Sequence, residues 1–433
     1  MRSFSFLLIL LMGANLAIAQ DSLTLEQALS MALDKNFGIQ LSKKQNEVAA
    51  NNVHVGNAGV LPKLDAQAGI SYDLNNTNVE YNGPIEPVDE KGAATTTYNA
   101  SVGLSYTLWD GLGMFRNYTR LKEIRNVQDA ETRINIENTL VQVTALFFET
   151  VKASQNQELA NENLSISRER LQRFRLREEY GNAGSIDLLN AQVDFNTDSA
   201  TYLMAKSNLS NQRQNLKFLL GGNLEESAAI SRKVVQQDFT FDGMLEAAMN
   251  TNISIQLAKS NLNVSKLDVK IVKGFRSPRL IGNASYGYYE QRADAGFVSK
   301  NKNTGFSGGL TVAMNLFDGY KTNINAQNAR LALESTTIAL EQAEAVVERD
   351  LAVALNNFEQ ANAIASLEKS TVSTAQANFE RSKEFFNLGQ ISNTQFREAQ
   401  VNLSRSKFRL IEARINLKLA ETEILRVSGQ LIQ

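Results

Sequence analysis

The chain has 433 residues, of which 43% are hydrophobic, with 44 basic and 46 acidic side chains, a net charge of −2 and no cysteine. The charges are scattered, so there is no basic stripe to neutralise nucleic-acid phosphates, and without cysteine both disulfides and a lipid-modified N-terminal cysteine are excluded. No catalytic, cofactor-binding or metal-ligating constellation is legible: the single histidine, His54, sits in an Asn- and Ala-rich stretch read as helical, with no partner for a metal. The DGLG run beside Trp109 lacks the third glycine and the acidic partner of a dinucleotide site.

Residues 1–19 read as a secretory signal: Arg2, an apolar run from Phe4 to about Leu16, then Ala17-Ile18-Ala19. The run is too short for a membrane helix, which needs ~20 apolar residues. Cleavage is expected after Ala19. The rest contains no other apolar run of membrane-helix length, so if the exported chain enters a membrane it does so by strands.

Four landmarks then recur in order. The IQL at Ile39 returns at Ile255 and Pro62-Lys63-Leu64 returns as Pro278-Arg279-Leu280, both 216 residues on; LWDG at Leu108 returns as LFDG at Leu316 and AQV at Ala191 returns at Ala399, both 208 residues on. The spacing shortens by 8 residues between the proline and the WDG or FDG landmark, which marks a tolerant surface loop there. The duplication divides the chain into a first repeat at 20–220, a linker at 221–242, a second repeat at 243–427 and a tail at 428–433.

Strands flank that place in each copy. In residues 64–74 the even positions are Leu64, Ala66, Ala68, Ile70, Tyr72 and Leu74, against Asp65, Gln67, Gly69, Ser71 and Asp73; residues 98–108 repeat the alternation with Tyr98, Val102, Leu104, Tyr106 and Leu108. Residues 280–290, which include Tyr286, alternate more weakly, and residues 306–316 set Phe306, Leu310, Val312 and Met314 against Ser307, Thr311 and Asn315. Each strand is about 11 residues, the length of a membrane-spanning β-strand. The lipid-facing set is Tyr72, Tyr98, Leu104, Tyr106, Tyr286 and Val312. A soluble half-buried sheet shows the same alternation, but here the surrounding helices are too polar to cover an apolar sheet face.

Beyond each hairpin the pattern is helical. No proline or glycine interrupts the chain from Met114 to Tyr180, which allows one helix ~100 Å long at 1.5 Å per residue. After the glycine break, Leu188, Phe195, Tyr202, Leu209 and Leu216 fall seven apart, as do Phe396, Leu403, Leu410, Leu417 and Ile424 in the second copy, with small Ala191, Ala205, Ala399, Ala413 and Ala420 three further on. Such a seam pairs helices as a left-handed coiled coil. Each glycine break is the tip of an antiparallel helical hairpin.

Four strands cannot close alone, because open sheet edges are not tolerated in lipid. A dimer would give a barrel of about 8 strands whose side chains nearly fill it, whereas a trimer leaves an aqueous lumen. The expected fold is mainly α, with a membrane β-barrel continued by a long antiparallel coiled-coil tunnel. The product is a conduit.

The duplicated order of helix, proline, strand hairpin, WDG or FDG, long helix, glycine turn and return helix resembles the outer-membrane efflux protein family, the TolC-like channels. It does so over essentially the whole chain from Leu23 to about Val427. The most specific pieces are LTLEQALSMALDKN from Leu23, the LWDG and LFDG pair, and GNAGSIDLLNAQ from Gly181. The resemblance implies a homotrimer with a 12-stranded barrel in the outer membrane of a Gram-negative bacterium and a long periplasmic helical tunnel. It further implies no enzymatic activity, and export of drugs, toxic compounds or proteins through a tripartite efflux or type I secretion system. The partners implied are a periplasmic adaptor protein and a proton-driven or ATP-driven inner-membrane pump.

By position, the adaptor-docking tips are Tyr180, Gly181, Ser185 and Leu188 in the first copy, with Ile186 between them, and Leu388, Gly389, Asn393 and Phe396 in the second, with Thr394 beside them. The pore constriction falls to Asp187, Gln395 and Glu398. Gln395 stands where family members carry an acid and Ile391 where they carry a basic gate residue, so a salt-bridged lock is not expected from these two. Asp187 also fits a plain helix-start charge stabilised by the macrodipole. The competing function is a periplasmic coiled-coil spacer without channel activity, which would not need amphipathic strands with tyrosines on their apolar face.

Overall fold

One element order runs through the chain twice. The first round is α1 (Leu25–Lys35), α2 (Phe37–Asn52), β1 (Lys63–Val79), β2 (Val88–Trp109), α3 (Gly113–Glu179) and α4 (Ser185–Leu219). The second is α5 (Met244–Thr251), α6 (Ile253–Gly274), β3 (Arg279–Ala293), β4 (Lys300–Ala313), α7 (Lys321–Asn387) and α8 (Asn393–Val427). The computed structural model describes residues 22–180, 185–222, 224, 230–231 and 243–431; the expected signal segment, Gly181 and most of the linker lie outside them. The long helices repeat to the residue: α3 and α7 have 67 each, α4 and α8 have 35 each.

The length difference between copies sits in the hairpins, where β1 and β2 have 17 and 22 residues against 15 and 14 for β3 and β4. All four strands outrun the expected 11 residues. Ladder pairing needs only backbone register, so it continues past the apolar alternation through stretches such as Thr95-Thr96-Thr97. His54 corrects a second expectation. It lies beyond the end of α2 in a turn, where its Nδ1 accepts a hydrogen bond from the Gly56 N–H at 3.0 Å.

The chain forms two compact units, one of residues 43–133 and 253–346, the other of the residues before 43, 134–252 and 347 onward. In the first, the WDG and FDG landmarks convert strand into helix. Gly111 and Leu112 both take left-handed backbone (φ 71° and 68°), and so do Gly319 and Tyr320 (φ 65° and 66°). Two successive residues of this kind turn the chain sharply. The aspartate then caps the helix it leads into: Asp110 accepts from the Met114 N–H at 2.8 Å, and Asp318 accepts from the Thr322 N–H at 2.9 Å and from the Thr322 hydroxyl. The Thr322 hydroxyl holds the Asp318 carboxyl below its usual range, against the opposing pull of desolvation. This contribution is present above the ordinary aspartate pKa and is lost as the pH falls through the lowered value. At Gly111 a Cβ would also come within 2.6 Å of Ser277 Cβ and 2.9 Å of the Gly274 carbonyl, so close packing as well as backbone shape requires glycine.

The second unit is held by the heptad seams. Leu209, Leu216, Phe396, Leu403, Leu417 and Ile424 are buried, as are Ala191, Ala399 and Ala413 three positions on. One apolar cluster joins Leu23, Ala28 and Ala32 to Val143, Phe147 and Phe148 of α3, Leu216 of α4 and Ile415 of α8. A second draws Leu171 and Phe174 of α3, Ala191 of α4, Phe379 and Phe386 of α7, and Phe396 and Leu403 of α8 together beside the tips. Phe386 and Phe396 stack there at 4.7 Å between ring centroids.

An ion network runs through the same seam. Arg397 binds Asp198 in a fork, with both N–O distances 2.7 Å, and touches Gln400 at 3.3 Å; Arg170, whose side chain is 2% exposed, binds Asp194 at 2.6 Å. Burial lowers the pKa of Arg170, with Asp194 pulling the other way. Burial also opposes the charge on Arg397, but the hydrogen bonds and charge of Asp198, with Asp194 behind them, raise its pKa. The Nε and Nη1 atoms of Arg170 have no partner, so Asp194 is the group that makes its burial tolerable. Asp194→Leu should destabilise the protein by about 3 kcal/mol or more, because a buried charge loses its partner. The double change Arg170→Met, Asp194→Leu should recover most of that loss. Urea unfolding of the detergent-purified protein measures both, and equal stability of the single and double variants would contradict the account.

Candidate functional site

The four strands form one antiparallel sheet in the order β1-β2-β3-β4. Its register keeps parity from residue 63 to 75 of β1, from 95 to 107 of β2 against β3 and along the whole of the β3–β4 ladder, and shifts by one residue between Asn75 and Thr77 and between Thr107 and Trp109. Leu64 lies opposite Leu104 and Ile70 opposite Tyr98; Val102 lies opposite Tyr286 and Leu104 opposite Ala284; Leu280 lies opposite Val312 and Tyr286 opposite Phe306. Successive residues of a strand point to opposite faces, so between the two shifts the even residues share one face of the sheet. A one-residue slip inside that region would have destroyed this, and both shifts lie at its ends.

The two faces differ in chemistry and curvature. Asp65, Gln67, Ser101, Asn283, Ser285 and Ser307, drawn from all four strands, line a groove of about 470 Å³ that Leu104, Ala284 and Gly308 between them also border, which makes the polar face the concave one. Cross-strand pairs tie it together: Gln67 donates to Ser101 at 3.1 Å, and the Ser285 and Ser307 hydroxyls meet at 2.8 Å. The convex face carries Tyr72, Leu104, Tyr286 and Val312, which are 40–69% exposed, with Tyr98 and Tyr106 half-buried among them. The six residues read from the sequence as lipid-facing therefore stand together. A continuous apolar surface of this kind on the outside of a sheet needs an apolar partner. Among the described residues, the outer edges of β1 and β4 have no neighbouring strand.

At the other candidate site, Gly389 ends α7 in left-handed backbone (φ 74°), and a Cβ added there meets nothing within 4 Å. Tyr180 and Leu388 are 78% and 70% exposed, and Ile186 and Leu189 are exposed beside them. Phe396 and Asn393 behave differently: both are buried within the chain, Phe396 in the aromatic stack. Leu188 and Ile391 pack against the same cluster. Ser185 opens α4.

Asp187 is exposed in the first turn of α4, and Gln395 and Glu398 are exposed near the start of α8. Gln395 has a local task as well. Its Oε1 accepts from the Ser392 N–H at 2.9 Å while the Ser392 hydroxyl accepts from the Gln395 N–H, a capping box that starts α8. The sequence reading missed the aromatic stack and the contact of Arg173 with Asn387 at 2.7 Å. Phe379 and Phe386 stand seven apart, as do Leu164 and Leu171, so the seam of the long helices was open to the same heptad reading as that of the shorter ones. Among the described residues, no group of His, Asp or Glu could hold a metal ion, and no helix is long and apolar enough to cross a membrane.

Known proteins share this architecture. The chain is 20% identical over 417 residues to the outer membrane protein TolC of Escherichia coli K12, covering 94% of this chain and 82% of that protein. It is 21% identical over 410 residues to the outer membrane efflux protein BepC of Brucella suis, covering 94% and 86%. The solved structure of the Campylobacter jejuni CmeC outer membrane channel superimposes with a TM-score of 0.78 over 96% of this chain and 87% of that one, at 17% identity. Residues 28–222 and 244–430 match the family model described as outer membrane efflux protein. Matched along both rounds of its repeated architecture, the chain belongs to the outer membrane efflux protein family and is an outer-membrane channel protein.

Proposed function

We propose that three copies of this chain close a 12-stranded barrel and that the channel is the outer component of a tripartite export assembly. The observation that carries the closure is the four-stranded sheet with a polar concave face, an apolar convex face and two open edges. In hydrocarbon the edge N–H and C=O groups need protein partners, and β1 of one copy pairing with β4 of the next supplies them around a ring. Two copies would enclose almost no lumen, whereas three enclose water. A periplasmic spacer, the other reading, would leave the apolar convex face in water.

The Asp, Gln, Ser and Asn lining offers no pocket chemistry for one substrate, which fits a conduit for small toxic compounds or for proteins. A periplasmic adaptor docks on the exposed Tyr180, Ile186 and Leu388 and couples the channel to an inner-membrane pump. Phe396 and Asn393 act from beneath, by fixing the shape of the tip. Three-fold symmetry gathers Asp187 and Glu398 into a ring of like charge, strengthened where water is scarce. Helix packing and hydrogen bonds therefore hold the resting tunnel shut, with the free amide N–H groups of Gln395 as donors.

Leu104→Arg should cost ~2–4 kcal/mol near the bilayer midplane and deplete the protein from the outer membrane, while Ser105→Arg is tolerated. Quantitative blotting of outer-membrane fractions tests this, and equal loss at both positions would refute the lipid-facing assignment. Gly389→Val places a β-branched residue in left-handed backbone, at a cost of at least ~1–2 kcal/mol. Heat-modifiable trimers should persist while drug efflux fails; wild-type resistance would move adaptor coupling away from the tip. Asp187→Ala with Glu398→Ala, in purified trimers in a planar bilayer, should weaken cation preference and block by multivalent cations without abolishing conductance. Unchanged selectivity and block would place the constriction elsewhere and leave Asp187 as a helix-start charge.

A further inference from the structure

The apolar character of the convex face stops before its strands do. Continuing the even positions toward the β3–β4 turn, Tyr286 is followed by Tyr288, Glu290 and Arg292, and the register sets Glu290 opposite Lys302 and Arg292 opposite Lys300. Tyr98 faces Glu290 from β2. A basic and aromatic rim therefore caps the apolar band, at the end of the hairpin away from the joints between strand and helix.

The rim is organised around one buried acid. Glu290, 6% exposed, accepts from the Tyr288 hydroxyl, from Arg292 Nε at 2.7 Å and from Lys300 Nζ at 3.3 Å. The Arg292 guanidinium lies 5.7 Å from the centre of the Tyr98 ring, and the Lys302 ammonium 5.3 Å from that of Tyr288. Arg292 and Lys300 still keep 59% and 54% of their side chains exposed. Their charge is thus fixed in place from behind and open in front. Asp294, beside the β3–β4 turn, accepts from the Ala94 N–H at 3.3 Å.

We propose that this rim binds the phosphate groups of an anionic lipid headgroup in the leaflet farther from the helices, with Arg292, Lys300 and Lys302 as the phosphate-binding cations. The inference rests on the reading of the convex face as lipid-facing. Charges on the lipid-facing side of a barrel are tolerated only near the interface, where tyrosines also collect. Arginine presents a fork that matches phosphate, and lysine adds mobile point charge beside it. A headgroup with two phosphates offers anionic partners to all three cations at once.

The full-length protein, purified in detergent, would be titrated with a diphosphorylated glucosamine lipid and with its dephosphorylated counterpart, and bound lipid read by native mass spectrometry. The triple change Arg292→Ser, Lys300→Ser, Lys302→Ser should weaken retention of the diphosphorylated lipid by about tenfold or more. The charge-keeping pair Arg292→Lys, Lys300→Arg should restore most of it, which separates lost binding from a damaged sheet. Equal retention by wild type and triple variant, or equal retention of both lipids by wild type, would overturn the site. Displacement of the lipid by inorganic phosphate alone would assign the rim to free phosphate and overturn the lipid proposal. Because the chain has no cysteine, Leu104→Cys reports separately on the face: labelling by a membrane-impermeant maleimide in intact outer membranes would refute the lipid-facing reading itself, whereas protection with unchanged lipid retention would refute only the rim.

Discussion

Backbone hydrogen bonding in a medium without water is the constraint on which the rest of this structure depends. A strand in lipid that lacks a neighbour leaves N–H and C=O groups unsatisfied at several kcal/mol each. Among its described residues this chain makes three ladders and leaves two edges. Its side chains cannot repair that, because the sheet's convex face is apolar and its concave face is occupied by small polar groups. Closure through further copies follows from the backbone, and the alternation of side chains decides only which face ends inside.

A geometric constraint also links sheet to helix. A strand must leave the sheet at a fixed register and begin a helix whose seam faces its neighbours, so the connection has little freedom. The paired left-handed residues at Gly111-Leu112 and Gly319-Tyr320, each preceded by an aspartate that caps the following helix, are a compact solution used twice. Its aromatic residue differs between copies, Trp109 in one and Phe317 in the other, while the aspartate and glycine recur. The parts of the landmark that recur are those with a backbone task.

What was legible in the sequence divides along physical lines. Period-two alternation exposed the convex face because parity holds through the middle of every ladder, and period-seven seams exposed the helices because Leu216, Phe396 and Ile424 are buried and apolar. Strand ends were not legible: Thr95 to Thr97 pair without alternating in hydrophobicity, since the ladder is made by the backbone. The Arg170–Asp194 and Arg397–Asp198 pairs were hidden because charged residues in a helix normally read as a solvated face. The role of Glu290 was hidden for the opposite reason, as an acid on an otherwise apolar face that registers only as weak alternation. Phe396 shows the limit of carrying a site over by position, since a residue at the tip in sequence is in the core by packing.

The contrast between hairpins and helices shows where this fold tolerates change. The first strands of the two hairpins have 17 and 15 residues and the second strands 22 and 14, yet α3 and α7 match at 67 and α4 and α8 at 35. Adding two residues to a strand lengthens the ladder and returns the side chains to the same faces. Adding one residue to a helix turns everything beyond it by about 100°, which in α7 would carry Phe379 and Phe386 off the cluster they share with Phe174 and Phe396. Charge makes the penalty steeper, because Arg397 must meet Asp198 and Arg170 must meet Asp194 in the same seam, and a rotated helix would bury those arginines without partners. Polar pairs in an apolar seam fix register more sharply than apolar contacts alone, which adapt to small shifts. Equal helix lengths in the two copies are therefore a consequence of seam chemistry, and the hairpins were left free to differ because their register repeats every second residue.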